Sequence, residues 1–467
     1  MKNRHYLFIS TIVVFSVFSC SKFIERTNVD SKSLESTNEI TAQEFKALSI
    51  QKRGSIVSVA ESKNKVITYL KNFISYSPST KSNEIPLIET IWVKYNKLSG
   101  LTKVNNQSFM VDSIPVYIFS NQDREGYTVI SGDRRLPYVF AHSSNGEFSS
   151  SSNPGITMFY KLLPFYIEKE INKYELIHDS LYKSAIAKIS NKLKISTKSP
   201  VLDPNMLYYT EETYSDWVDS RNIGPLVSTK WGQEYPYNQL LDTIYCSGLY
   251  VKPHTGCVAV AISQLFAYHK YPSSFQNYSF NWVEMTSSPY ANNLTLTFQN
   301  QIASLMKVVG SAVNMNYTCA SSGSTILYAY NGLSVFGYTS DNYCNYNLSS
   351  IIESLNESRP VYIRGYSIST NTGHAWVLDG IKTQKQDVVE RIYVYIGDPN
   401  TMPSYPFDQQ EWELFYYNNY ENIVDYVWCN YGWNGTDDGL YLSGIYSISN
   451  SLYDYEMQII PNIRIDN

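Results

Sequence analysis

Val258, Ile262, Leu265, Phe266 and His269 fall at helical spacing, which predicts a buried amphipathic helix that Pro272 ends. Gly256 and Cys257 open this helix. Further along, residues alternate after His374 in the stretch 373–380, which predicts a strand starting at His374 and ending at Gly380, where Asp379 caps it. The preceding stretch 359–365 reads as its partner strand. In the N-terminal part, 115–119, 126–130 and 136–140 are short β-branched and aromatic runs separated by turn residues, and they predict strands. Residues 156–185 mix long apolar and charged side chains and predict a helix interrupted by Pro164. Residues 186–206, rich in Lys, Ser and Pro, read as a linker. Residues 20–60 are polar with weak structural signals and read as a tether.

The first residues follow another pattern. Lys2 and Arg4 precede thirteen mostly apolar residues, 6–18, too short a run to span a membrane. This is the layout of a signal peptide over 1–19. Ser19-Cys20 resembles the box at which exported lipoproteins are cut and lipidated, so Cys20 is the expected anchor and the expected location is the outer membrane or cell surface, or secretion after processing.

Composition narrows the field. The chain has 467 residues, 43% hydrophobic and 17% charged, enough for more than one packed domain and unlike a disordered chain. With 37 Lys+Arg against 42 Asp+Glu, the net charge of −5 gives no basic footprint for nucleic acid. Six cysteines are too few and too unevenly spaced for a disulfide scaffold or a paired zinc motif. With Cys20 set aside, an odd number remains, which in an exported protein suggests a free thiol. If Cys257 is that thiol, Cys246, Cys319, Cys344 and Cys429 allow three pairings, and a bridge at Cys429 would stiffen the loop beside it.

Four motifs carry candidate chemistry. Cys257 at a helix N-terminus is placed where the helix dipole favours a thiolate. His374 at a strand start suits a general base. Asn430 lies in an aromatic loop, 428–435, where its amide can hold the far nitrogen of an imidazole and Trp433 can shield that contact. Gln233, in the stretch 230–238, can donate to an oxyanion next to the cysteine. Taken singly, each also suits a structural role: a buried thiol, a core histidine, a hairpin, a surface loop.

Their chain order, Gln, Cys, His, Asn, is that of papain-like cysteine peptidases. The stretches 231–238, 256–272, 280–285, 373–380 and 430–435 resemble the streptopain family, covering about 231–441 in the right order. The resemblance implies an α+β fold: a papain-like peptidase domain over 206–467, with a helical part and an antiparallel sheet, behind an inhibitory α+β propeptide over 61–205. It implies a secreted or lipid-anchored endopeptidase made as a zymogen. Its catalytic residues would be Cys257, His374, Asn430 and Gln233, with Gly256, Tyr431 and Trp433 supporting them. The family usually has Trp at the position of Tyr431. It also implies a hydrophobic preference near the scissile bond, protein or peptide substrates, the chain's own propeptide as inhibitor, and no metal or cofactor. Cleavage between the two parts is expected in 186–220, at Lys198 or near Tyr208.

Three other readings compete with this one. His254, Cys257 and His269 could suggest a zinc site, but His269 lies about 18 Å along the helix from Cys257. A transglutaminase-like acyl transferase would use an Asp, nominally Asp398, in place of Asn430. A non-catalytic surface lipoprotein would bind ligands through its Tyr-rich loops.

Overall fold

The computed structural model describes residues 39–73, 85–98, 109–120, 126–148, 153–193, 207–397, 411–448 and 455–466. The expected signal peptide and Cys20 lie outside these, as do Lys198 and Asp398. No described helix is long and apolar enough to cross a membrane.

The N-terminal part begins with helix α1 (Ala42–Arg53), inside the stretch expected to be a structureless tether. The reason is local. Thr41 Oγ1 accepts from the Glu44 N–H and the Glu44 carboxylate accepts from the Thr41 N–H, a reciprocal capping box that satisfies two orphan donors. Phe45 and Leu48 then bury the helix against its neighbours. After α2 (Val59–Phe73) come β1 (Leu87–Leu98), β2 (Phe109–Ser120), β3 (Tyr127–Ser131) and β4 (Val139–Ser143), paired antiparallel in chain order. The long helix α3 (Pro154–Lys192) follows. It runs through Pro164 without a break and continues past the expected linker start at 186. Its Ile156, Phe159, Leu163, Tyr166 and Ile167 form a buried apolar stripe that holds the helix against the sheet, which offsets the hydrogen bond lost at the proline.

The C-terminal part carries β5 (Tyr208–Tyr214), β6 (Val218–Ile223), helix α4 (Cys257–His269), β7 (Val361–Ser367), β8 (Thr372–Tyr395), β9 (Trp412–Asn430), β10 (Gly439–Leu442) and β11 (Tyr455–Ile460). The helix and the two strands around His374 form as the periodicity predicts; Gly365 pairs with His374 in register. β8, however, does not stop at Gly380. It runs on because β6 pairs with Ile381–Lys385 and β5 with Val388–Val394, while β9 pairs along its other edge. Asp379 is therefore no cap. It is buried in mid-strand, its carboxylate accepting from the Val227 N–H.

One antiparallel sheet joins the two parts. β4 pairs with β10, giving the order β1-β2-β3-β4-β10-β9-β8-β7-β11. Alternation along β8 divides the core between its faces. Trp376 and Leu378 pack with α3, whereas Ala375 and Val377 pack with α4. Helices α4 and α3 thus cover opposite faces of the same strand.

A disulfide joins Cys246 to Cys319, while Cys344 and Cys429 are not disulfide-bonded. The bridge considered at Cys429 does not exist: its sulfur is buried 3.5 Å from the Tyr446 hydroxyl. Tyr208, considered as a cleavage point, is fully buried in β5.

Candidate active site

Gly256 caps α4 with φ 90°, a left-handed conformation that a side chain disfavours, and a Cβ there would meet Met315 Sδ at 2.7 Å. This turn delivers Cys257 to the first position of the helix. Its sulfur faces the backbone N–H groups of Ala375, Val258 and Cys257 itself, which favour the thiolate. Burial outweighs them and raises the thiol above its usual value. The depressed pKa expected from the helix dipole is therefore absent in this state.

His374 precedes Ala375 on β8 and is buried. Its Nε2 lies 2.9 Å from the backbone carbonyl oxygen of Tyr431. A carbonyl only accepts, so Nε2 carries the proton and Nδ1 is the basic nitrogen. The ring stacks on Trp376 at 5.8 Å, with Tyr431 and Trp433 each 6.4 Å away. Burial lowers its pKa from 6.5 to about 4. No hydrogen bond joins His374 to Cys257, so the thiolate–imidazolium pair is not formed in this structure.

The amide of Asn430 does not contact His374. Its Oδ1 accepts from Gln264 Nε2 at 2.9 Å and from the Gly432 N–H at 3.2 Å, while its Nδ2 donates to the Thr229 carbonyl at 2.8 Å. The expected amide–imidazole contact is thus replaced by a backbone one, because the neighbouring amide of Gln264 satisfies Asn430 first. Gln264 is fully buried on α4, two turns from Cys257, and its Oε1 accepts from the Thr229 hydroxyl and the Trp231 N–H. Gln264 was missed by the sequence reading, although a polar side chain on the apolar face of that helix was a visible signal.

Gln233 is buried, and its backbone carbonyl accepts from both the N–H and the hydroxyl of Thr255. This ties it to the turn before Cys257. Its side-chain amide has no hydrogen-bond partner among the described residues, which leaves both N–H groups available.

Tyr431 occupies a closed aromatic pocket. Its hydroxyl lies 2.8 Å from that of Tyr446, its N–H donates to the Asp438 carboxylate, and its ring abuts Gly155 at the start of α3, where a Cβ would come within 2.0 Å. Asn153, the cap of α3, accepts from the Ile156 N–H and donates to Thr436 O and the Asp437 carboxylate. The N-terminal part therefore grips the loop whose backbone holds His374. Burial raises Asp438 to about 7. The described residues contain no group of side chains able to hold a metal, and His254 lies 3.9 Å from Glu234 rather than beside His269.

A thiol at a helix start, a histidine on the strand which that helix covers, and an amide without a partner are the parts of a thiol hydrolase. Residues 231–441 match the Peptidase C10 family, and residues 54–167 match the Spi protease inhibitor. The chain is a cysteine peptidase, in which a region similar to the Spi protease inhibitor precedes a region similar to the Peptidase C10 family. Streptopain of Streptococcus pyogenes is 24% identical over 362 residues, 68% of this chain and 78% of its own length. The thiol protease/hemagglutinin PrtT of Porphyromonas gingivalis is 24% identical over 293 residues, 56% of this chain and 31% of its own. Among solved structures, a fragment of prointerpain A from Prevotella intermedia is 20% identical, covering 79% of this chain and 98% of the fragment, with a TM-score of 0.47.

Proposed function

We propose that this protein is an exported endopeptidase zymogen in which Cys257 is the nucleophile and His374 its base. The observation that carries the reading is the packing of Cys257, first residue of α4, against the core that holds Ala375, directly after His374 in the chain. In the active state, the His374 Nδ1 takes the thiol proton, and the thiolate attacks a peptide carbonyl. The Cys257 N–H and the Gln233 amide stabilise the oxyanion, each donor contributing about 3–4 kcal/mol where such donors have been removed. His374 then protonates the leaving amine, and water resolves the thioester. The Tyr431 carbonyl takes the orienting role expected of Asn430, and Tyr431 and Trp433 shield it.

The segment from the α1 helix to about residue 205 serves as the chain's own inhibitor, and the peptidase proper begins at about 206. Processing falls upstream of Tyr208, because that residue is buried in a paired strand. Residues 1–19 direct export, and lipidation of Cys20 anchors the unprocessed chain at the outer membrane or cell surface. Casein hydrolysis by the chain cleaved within 194–206, against the same preparation of Cys257→Ala, tests the reading. Hydrolysis lost in the variant supports it, and equal hydrolysis in both rejects it.

A further inference from the structure

Strand β7 runs beside the histidine strand and presents two different faces. Val361 and Ile363 point into the core shared with α3, whereas Tyr362 belongs to the core under α4. Alternation places Arg364 and Tyr366 on the face of Tyr362, toward the cysteine helix. Arg364 is the direct cross-strand partner of Ala375, the residue whose N–H faces the Cys257 sulfur, and directly paired side chains of an antiparallel sheet share a face and touch.

Two groups on this face lack the partners their chemistry calls for. Tyr362 is fully buried, yet its hydroxyl has no hydrogen-bond partner. A buried polar atom left unsatisfied calls for an explanation, such as a ligand that completes it. Arg364 is partly buried, and its guanidinium lies over the Tyr366 ring at 4.6 Å. No carboxylate among the described residues forms an ion pair with it. The nearest acidic register position, Glu456, is opposite Tyr366 on β11 and makes none. Tyr362 and Cys257 pack in the same core under α4, and Arg364 stands on that face of the sheet opposite Ala375, so the three groups share one side of β7 and β8.

We infer that Arg364 and the Tyr362 hydroxyl form a subsite beside Cys257 that takes an acidic side chain, Asp or Glu, of the polypeptide being cleaved. This inference rests on Cys257 being the nucleophile. A guanidinium pre-ordered on an aromatic ring presents a fork of N–H donors that matches a carboxylate, and the tyrosine hydroxyl supplies a further donor. The preference differs from the hydrophobic one that the family resemblance implies.

The test uses the processed chain and quenched fluorescent peptides in which Glu, Gln, Leu or Lys is placed in turn at each position flanking the cleaved bond. At one position Glu should exceed its neutral isostere Gln in kcat/KM by roughly tenfold or more, as for hydrogen bonds to charged groups. Arg364→Gln should bring that ratio to about one, and Arg364→Glu should turn the preference toward Lys. Tyr362→Phe should reduce the ratio while keeping its sign. The unmodified enzyme alone decides the matter if a variant fails to fold. Equal cleavage of Glu and Gln peptides at every position overturns the subsite but not the nucleophile. Failure of every peptide to be cleaved, with Cys257 unreactive to iodoacetamide, overturns the nucleophile assignment and the subsite with it.

Discussion

The imidazole of His374 is held through Nε2 by the backbone carbonyl of Tyr431, 2.9 Å away, while the adjacent side-chain amide of Asn430 is committed to Gln264. A backbone acceptor fixes the tautomer as an amide oxygen would, but it survives any substitution that preserves the loop. The residues that matter for catalysis are then those that keep the 430–433 backbone in place.

The first prediction concerns Asn430. Asn430→Ala leaves the Gln264 amide, the Thr229 carbonyl and the Gly432 N–H without their partner. Stability should fall by about 1–3 kcal/mol, read from urea denaturation. Below the new unfolding midpoint, kcat/KM should fall by less than about tenfold, far short of the roughly 10⁴-fold effect of altering an orienting triad carboxylate.

Tyr431 should be tolerant of losing its hydroxyl. Tyr431→Phe removes the bond to Tyr446 and keeps the carbonyl on His374. The expected outcome is a loss of about 1 kcal/mol of stability with kcat/KM of the processed enzyme unchanged within error. A collapse of activity would mean that the phenol, rather than the carbonyl, acts on the imidazole.

The grip of α3 on the loop should be measurable in the uncut chain. Asn153→Ala removes both the cap of α3 and the contacts to Thr436 and Asp437, a change of about 1–2 kcal/mol for the cap alone. Gly155→Leu forces a side chain into the Tyr431 ring. Both variants should raise residual peptidase activity before processing. Unchanged activity would indicate that inhibition depends on other contacts.

Acid should weaken this state through His374. Its folded-state pKa of about 4 lies below the unfolded 6.5, so the folded state binds fewer protons in that window. Stability from this group is complete above pH 6.5 and is lost as pH falls toward 4. Replacing His374 with Gln should flatten the fall in thermal midpoint over that range. The direct check is the NMR titration of the ring, which should show a midpoint near 4 in the uncut chain.

The elements that carry the candidate residues could be read in the chain because they are local. The spacing from Val258 to His269 dictates the helix, and alternation around His374 dictates the strand and its partner. What escaped has a physical reason in each case. A backbone carbonyl such as that of Tyr431 leaves no residue signature. β8 continues past Gly380 because its partners β5 and β6 lie far away in sequence. The α1 helix was hidden by its polar surface, although the Thr41–Glu44 cap announced it. The disulfide could not be chosen among three pairings, since spacing alone does not report proximity.

The central claim is that Cys257 is the reactive thiol and His374 its base. The most direct measurement is peptide-mapped alkylation of the processed chain by iodoacetamide at pH 6, comparing Cys257, Cys344 and Cys429 with and without His374→Ala. Cys257 should be modified well before the other two, and the histidine variant should slow it alone. Modification of Cys344 first, or a Cys257 rate indifferent to His374, would contradict the claim.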